Sequence, residues 1–331
     1  MLEKRKFGNT DLQVSVIGFG AWGIGGPAMA GDIPIGWGDV DDKTSTAALE
    51  KSVDCGVNFF DTADFYGFGH SEELLGQTFG NRGDVIIASK VGHRLDDDQK
   101  IFTDYSGEHI INSCEGSLKR LKRDCIDYYQ LHTAKVSDFE NTDCIETMDR
   151  LVEQGKIRYW GVSLNTYNPF PEADYIFENK IGHGLQLVFN IINQKAAGIL
   201  ESADINGYGT IVRMPLQFGL LTGKFTKESV FGKDDHRAFR LPSHILSRSI
   251  DDLEEVWKMF EETNQDKTSF SLSFAASWPG VSTVIPGIKT PEQAVSNTDD
   301  IRKLPDEYLM GLKEMYGSSF SSLLDLMERE G

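Results

Sequence analysis

Four residues able to move charge at a carbonyl stand at or just after the ends of three apolar runs. Asp61 closes GVNFFD and Tyr66 follows it in DTADFYG; Lys90 closes VIIASK, and His132 closes DYYQLH. A hydride arriving at a carbonyl carbon leaves charge on the oxygen, so a proton donor must stand beside it. A tyrosine is a reluctant donor near neutrality, with a free pKa of about 10. A neighbouring ammonium stabilises phenolate and makes the phenol a usable acid and base. Lys90 is the ammonium of this set and Asp61 the carboxylate to hold it. His132 can donate a hydrogen bond to the carbonyl oxygen and fix its orientation. Singly, each residue has an ordinary use: surface packing for the Tyr, an ion pair for the Asp and Lys, a satisfied polar group for the His. Jointly, at consecutive strand ends, they point to carbonyl reduction.

The elements that must position them are legible as alternating patterns. Strands are expected near 16–20, 57–61, 85–90, 126–132, 157–163, 185–189, 210–214 and 283–285. Helices are expected near 44–55, 71–79, 107–122, 141–154, 170–179, 195–204, 250–263 and 291–297, with a further one over 268–278. Ile110, Ile111, Cys114, Leu118 and Leu121 fall on one face of the third; Leu253, Val256, Trp257 and Phe260 mark the seventh. Repeated strand–helix units imply a parallel sheet with right-handed crossovers. Eight of them predict a (β/α)8 (TIM) barrel, whose active residues gather at the strands' C-terminal ends. Gly8-Asn9 centres an expected extra hairpin over 4–14. The irregular stretch from 215 to about 249 reads as a functional loop after strand 7, and nothing divides residues 1–331 into separate domains.

Forty per cent hydrophobic residues in 331 supply a large core. A net charge of −18 repels phosphate backbones, which argues against a nucleic-acid partner. The basic run at 118–123 keeps its leucines on a helical stripe and reads as a solvated helix face. Cys55, Cys114, Cys125 and Cys144 are scattered, with neither metal-ligand nor disulfide-framework spacing. MLEKRKFGNT has no apolar signal core and no run is long enough to span a membrane, so a cytoplasmic enzyme with reduced thiols, no metal and no membrane partner is expected.

One string invites a different reading. Gly18-Phe19-Gly20-Ala21-Trp22-Gly23 is a literal G-x-G-x-x-G after a strand. That fingerprint needs a helix directly after the glycines, because the pyrophosphate rests on the helix N-terminus. Here IGGPAMAGDIPIGWGD follows, too rich in Gly and Pro for a helix. A Rossmann reading therefore fails.

GVNFFDTADFYGFGHSEELLG (56–76), VIIASKVG (85–92) and SLKRLKRDCIDYYQLH (117–132) resemble signature segments of the aldo-keto reductase family. The likeness continues through GKIRYWGVS (155–163), LQLVFNIIN (185–193), PLQFGLLTGKF (215–225) and VIPGIKTPEQAVSN (284–297), and so covers nearly the whole chain. The resemblance implies a barrel that binds NADP(H) without a Rossmann domain, and the tetrad Asp61, Tyr66, Lys90 and His132. It implies that Gly20, Ala21 and Trp22 lie beside nicotinamide and substrate, the glycines letting backbone approach the ligand. Ser163 and Gln186 are implied partners of the carboxamide. Met214, Pro215, Leu216, Gly219, Leu221, Thr222, Gly223 and Lys224 fall in the implied pyrophosphate wrap, and Gly287, Lys289, Gln293 and Asn297 at the implied adenosine end.

Three departures accompany the likeness. Leu164 intervenes between Ser163 and Asn165, so the carboxamide is expected to use either Asn165 or backbone. Arg213 stands where many members stack a Tyr on the nicotinamide, and its planar guanidinium suits that role. The loop from Thr133 to about Asn141 is short, so the insertion over 91–107 is expected to rim the substrate mouth instead. The implied activity is reduction of small aldehydes, ketones or sugars, by a monomer or small homo-oligomer. The alternatives are a sugar or polyol dehydrogenase and a cofactor-binding regulatory subunit, since channel-associated barrel proteins resemble this family too.

Overall fold

The alternating runs become parallel strands: β1 (Phe19–Gly20), β2 (Phe59–Asp61), β3 (Ile86–Val91), β4 (Ile126–His132), β5 (Ile157–Ser163), β6 (Gly184–Val188), β7 (Gly209–Arg213) and β8 (Thr283–Ile285). In the computed structural model, which describes residues 2–232, 235, 237–260 and 263–330, these strands pair in sequence order. Parallel bridges Ile17–Val284 and Gly20–Gly287 join β1 back to β8, closing the (β/α)8 barrel. Helices cover its outside, so the strands are buried on both faces, as parallel strands are.

Strand periodicity decides what faces the barrel axis. Phe59, Ile86, Ala88, Tyr128, Ile211 and Ile285 form an inner apolar cluster with Phe7, while Phe60, Ile87, Tyr129, Leu131, Val162, Leu187 and Val212 pack in the larger outer core that includes the helices. Beyond the inner layer, on the same strand faces, stand Asp61, Lys90, Gln130, Ser163, Gln186 and Arg213, with His132 one further step along its strand. The expected hairpin, Lys4–Lys6 with Gln13–Ser15, closes the opposite end and drives Phe7 between Tyr128 and Phe59. Glycines make room for it: a Cβ on Gly209 or Gly184 would meet the Phe7 ring at 2.4 or 2.8 Å.

Several element boundaries differ from the expectation. The segment 141–154 splits into helices Val136–Asn141 and Cys144–Glu153. Thr142 turns extended between them, and Asp143 accepts a hydrogen bond from the Gly107 amide (2.8 Å). The helix expected to begin near 250 begins at Ser243, directly after Pro242, and is described to Phe260; the expected positions 261 and 262 lie outside the described residues. The irregular stretch after β7 is correspondingly shorter and holds a 3-10 turn, Gln217–Thr222, and a short helix, Arg237–Arg240. Helices Asp306–Met315 and Ser321–Glu330, joined by a π-turn, were not anticipated; Pro305 followed by Asp306 and Glu307 is the start signal that marks the first. The second supports the loops after β5 and β7, through Tyr167 donating to the Met327 carbonyl (3.3 Å) and Gln217 to its sulfur (3.6 Å).

Candidate active site

The polar layer is a connected network. The wholly buried Lys90 donates from Nζ to Asp61, to the Thr62 carbonyl (2.8 Å) and to the Tyr66 hydroxyl (3.2 Å). The second Asp61 oxygen accepts from Gln130 (3.0 Å) and Gln186 (2.8 Å). Burial alone pushes the Lys90 ammonium toward neutrality; the Asp61 carboxylate and the Tyr66 phenol outweigh it and hold the group above the ordinary lysine value. Lys90 is therefore a fixed cation beneath a phenol, with its ammonium 4.7 Å from the Tyr66 ring centre. Gln130 was not singled out from the sequence, yet its place two residues before His132 on the same strand face is the signal for it.

His132 meets the Tyr66 ring edge to face (6.0 Å) and carries a second imidazole, His93, stacked on it at 4.3 Å and 4°. Burial holds His132 well below the usual histidine range, and the charges of His93, Lys90 and Arg213 add to this. Burial likewise takes His93 down to about 4. The unfolded chain titrates its histidines near 6.5. Between about pH 6.5 and 4 the unfolded state therefore binds protons that the native state refuses, and stability falls as pH falls. Asp64, held high first by burial and then by Glu72, works in the opposite direction. The expected result is a decline in Tm from pH 7 to pH 5 that is shallower in His93→Phe; parallel curves for the two proteins would refute a buried neutral His93.

Above the network opens a cavity of about 770 Å³. Trp22, Trp37, Phe65, Ile33 and Ile101 line it together with Tyr66 and His132. Ile101 and His93 come from the hairpin His93–Leu95 with Ile101–Thr103, so the insertion after β3 does rim the mouth. Lys224, Arg237 and Lys289 converge on the same cavity. Burial pulls both lysines below the ordinary value, and neighbouring cations pull them further; Asp235 is the carboxylate that partly offsets them. In a chain of net charge −18, cations held against one another on a cavity wall suit a polyanion. Arg237 also lies 5.6 Å from the Trp37 ring, linking the loop after β7 to the loop after β1.

The three glycines of the G-x-G-x-x-G string have local causes. A Cβ on Gly18 would meet Ile285 and the Phe59 carbonyl at 3.0 Å, and one on Gly20 the Pro286 carbonyl at 3.0 Å. Both glycines let β1 close against its neighbours, and Gly20 also lines the cavity. A Cβ on Gly23 would stand 2.8 Å from the Lys289 stem, so this glycine makes room for the cation. Gly287 is the opposite case: a Cβ there meets nothing within 4 Å and would project into open space.

Most of the remaining expected positions line the same cavity: Gly20, Ala21, Trp22, Gln186, Arg213, Met214, Pro215, Leu216, Gly219, Thr222 and Lys224, then Gly287, Lys289, Gln293 and Asn297. Four do not. Ser163 donates to Gln186 (3.3 Å) beneath the cavity, and Leu221 is buried in the core. Gly223 ends the 3-10 turn with φ of 69° beside Lys267. Asn165 is exposed and spends its side-chain oxygen on the amides of Tyr167 (2.9 Å) and Asn168 (3.0 Å), while Thr166 lines the cavity instead. The half-buried Arg213 donates to the Leu164 carbonyl (3.1 Å) and to Thr166 (3.0 Å), which fixes its guanidinium at the cavity wall. Gln293 accepts from the Lys289 amide (2.8 Å) and Asn297 donates to the Gly287 carbonyl (3.5 Å), so both shape this turn. Sequence reasoning missed His93, Phe65, Thr133 and Trp37 among the lining residues. Among the described residues no His, Cys, Asp and Glu cluster could hold a metal ion, and no helix is long and apolar enough to cross a membrane.

The model of the Aldo/keto reductase family matches residues 16–316. The uncharacterized oxidoreductase YqkF of Bacillus subtilis (strain 168) is 30% identical over 319 residues, spanning 94% of this chain and 96% of that protein. A probable voltage-gated potassium channel subunit beta of Oryza sativa subsp. japonica is 27% identical over 326 residues, 92% of each chain. Among solved structures, the glycerol dehydrogenase AKR11B4 from Gluconobacter oxydans matches 96% of each chain with a TM-score of 0.80 and 25% identity.

Proposed function

The chain belongs to the aldo/keto reductase family, and from that premise we propose an NADP(H)-dependent oxidoreductase that interconverts the carbonyl of a small aldehyde, ketone or sugar with its alcohol. The observation that carries this reading is one cavity lined both by a Lys90-backed tyrosine and by converging cations. The cavity suits a dinucleotide: Lys224, Arg237 and Lys289 would hold its phosphates, and the open space over Gly287 leaves room along the wall. When bound, the reduced nicotinamide supplies the hydride. This chain's residues do the rest. Tyr66 gives its hydroxyl proton to the carbonyl oxygen and takes it back in the reverse direction. Lys90 steadies the phenolate that is left, and Asp61 with the Thr62 carbonyl keeps the ammonium in place. His132, neutral in its buried setting, orients the carbonyl oxygen by a hydrogen bond. The aromatic and aliphatic wall around them excludes water from the reacting atoms.

Lys289, on the turn after β8, is the proposed discriminator between the two nicotinamide dinucleotides, because the additional phosphate of NADP(H) gains from a nearby cation. Lys289→Ala is expected to raise KM for NADPH on the order of tenfold, the scale of one charge-assisted contact, and to leave KM for NADH nearly unchanged. Equal effects on both cofactors would remove Lys289 from that role. The overall reading is tested with a panel of carbonyls and alcohols assayed with NADPH and NADH. Repeated turnover with NADPH supports an enzyme. Oxidation of a single equivalent of bound cofactor without turnover would favour a regulatory subunit, a reading that the channel-subunit relative keeps in view.

A further inference from the structure

His132 lacks the anchor that usually sets a functional imidazole. Such a ring is commonly held by a hydrogen bond from its far nitrogen to a carboxylate or carbonyl. Here Nδ1 of His132 is sealed from solvent and has no hydrogen-bond partner among the described residues. The ring nevertheless lines the cavity, which leaves Nε2 to meet a carbonyl. What holds its plane is packing: the Tyr66 ring edge on one side and the flat face of His93 on the other, 4.3 Å away and parallel within 4°.

His93 is itself tied down. Its Nε2 lies 2.9 Å from the Thr133 hydroxyl. That hydroxyl gives its one proton to the His132 carbonyl (2.6 Å), so it accepts from His93, and the His93 proton sits on Nε2. The Tyr105 hydroxyl binds the same carbonyl (2.6 Å). Thr133 adopts φ of 68°, a left-handed backbone that β-branched residues rarely take. Strain of this kind persists where the surroundings over-determine it, and here it aims the hydroxyl between the two histidines.

We infer that His93 is a positioning residue: its ring is the clamp that fixes the plane of His132 where it faces the substrate carbonyl. The inference rests on the proposed role of His132 in carbonyl reduction. The charged and titratable groups bearing on the pair are Lys90, Arg213 and Tyr66 from the cavity side. Asp64, Arg94 and Arg120 bear on it from a smaller cavity behind His93. None of them bonds His132 Nδ1, so the stack is the remaining restraint.

The test compares His93→Ala, which removes the ring, with His93→Phe, which keeps a flat ring and loses the bond to Thr133. His93→Ala is expected to lower kcat about tenfold with KM for NADPH unchanged, the scale of a misplaced reacting group. His93→Phe is expected to recover most of that loss. In parallel, NMR of the His132 ring in the cofactor-free protein should show its titration midpoint rising toward 6.5 in His93→Ala, because water and charge are readmitted, and staying low in His93→Phe. A His132 ring signal unchanged in His93→Ala, or turnover within twofold of the parent in both variants, would overturn the clamp. A parent protein that turns over no carbonyl would overturn the reduction reading alone, since the ring signals report on the clamp without substrate.

Discussion

Tyr66→Phe is expected to lower turnover by a factor on the order of 10²–10⁴ while leaving affinity for NADPH nearly intact. The change removes one oxygen. The ring that contributes to the wall stays, stacked near Trp22 at 6.1 Å and against the edge of His132. Lys90 keeps Asp61 and the Thr62 carbonyl, so the buried ammonium is not orphaned. The variant therefore separates proton transfer from folding and from cofactor binding. Cofactor affinity is read by fluorescence titration, and turnover on whichever carbonyl the parent reduces best. Near-normal turnover in Tyr66→Phe would sink the assignment of the phenol as acid and base.

Lys90→Met is expected to act on two levels. Turnover falls and its pH profile moves, because the phenolate loses the ammonium 3.2 Å from its oxygen. Stability falls as well, by about 3–5 kcal/mol, because Asp61 is left as a buried carboxylate without its cation. The ammonium sits above its ordinary value in the native state, since Asp61 and Tyr66 outweigh burial. Its contribution is fully present below the unfolded value of about 10.4 and is lost as pH rises through the higher native value. Adding Asp61→Asn to Lys90→Met should restore much of the stability, since the stranded charge is gone, without restoring turnover. Denaturant unfolding and steady-state kinetics on the two single variants and the double variant form the cycle. An unmoved pH profile in Lys90→Met would break the proposed coupling to Tyr66, and additive stability losses would break the coupling to Asp61.

Much of this site was legible because strand periodicity is a local property. Asp61, Lys90 and His132 end apolar runs, and alternation within each run puts them on the face shared by Phe59, Ala88 and Tyr128. The same rule, applied two residues back from His132, would have found Gln130. Other positions have uses inside the protein that local pattern does not reveal. Ser163 and Gln186 stand at strand ends and face each other and Asp61, so their hydrogen-bonding capacity is partly spent inside the layer. Asn165 caps its own turn, a use open to any Asn in a loop. The expected helix at 141–154 broke because Asp143 is drawn to a backbone amide of another element, which no local pattern reveals.

The sequence by itself determined the eight strands, the face on which each polar residue stands, and hence the chemistry available at the strand ends. It also excluded a Rossmann pyrophosphate cradle, because the required helix is missing after Gly23. Only the tertiary structure decided that Gly18 and Gly20 are small so that the barrel can close. Only there do Lys224, Arg237 and Lys289, from separate turns of the chain, meet on the wall of one cavity, and His93 lie flat on His132. The reason is range. Alternation and turn chemistry are set by neighbours in sequence, whereas these contacts depend on how far each loop reaches across the mouth, and that is fixed by packing between elements distant in the chain.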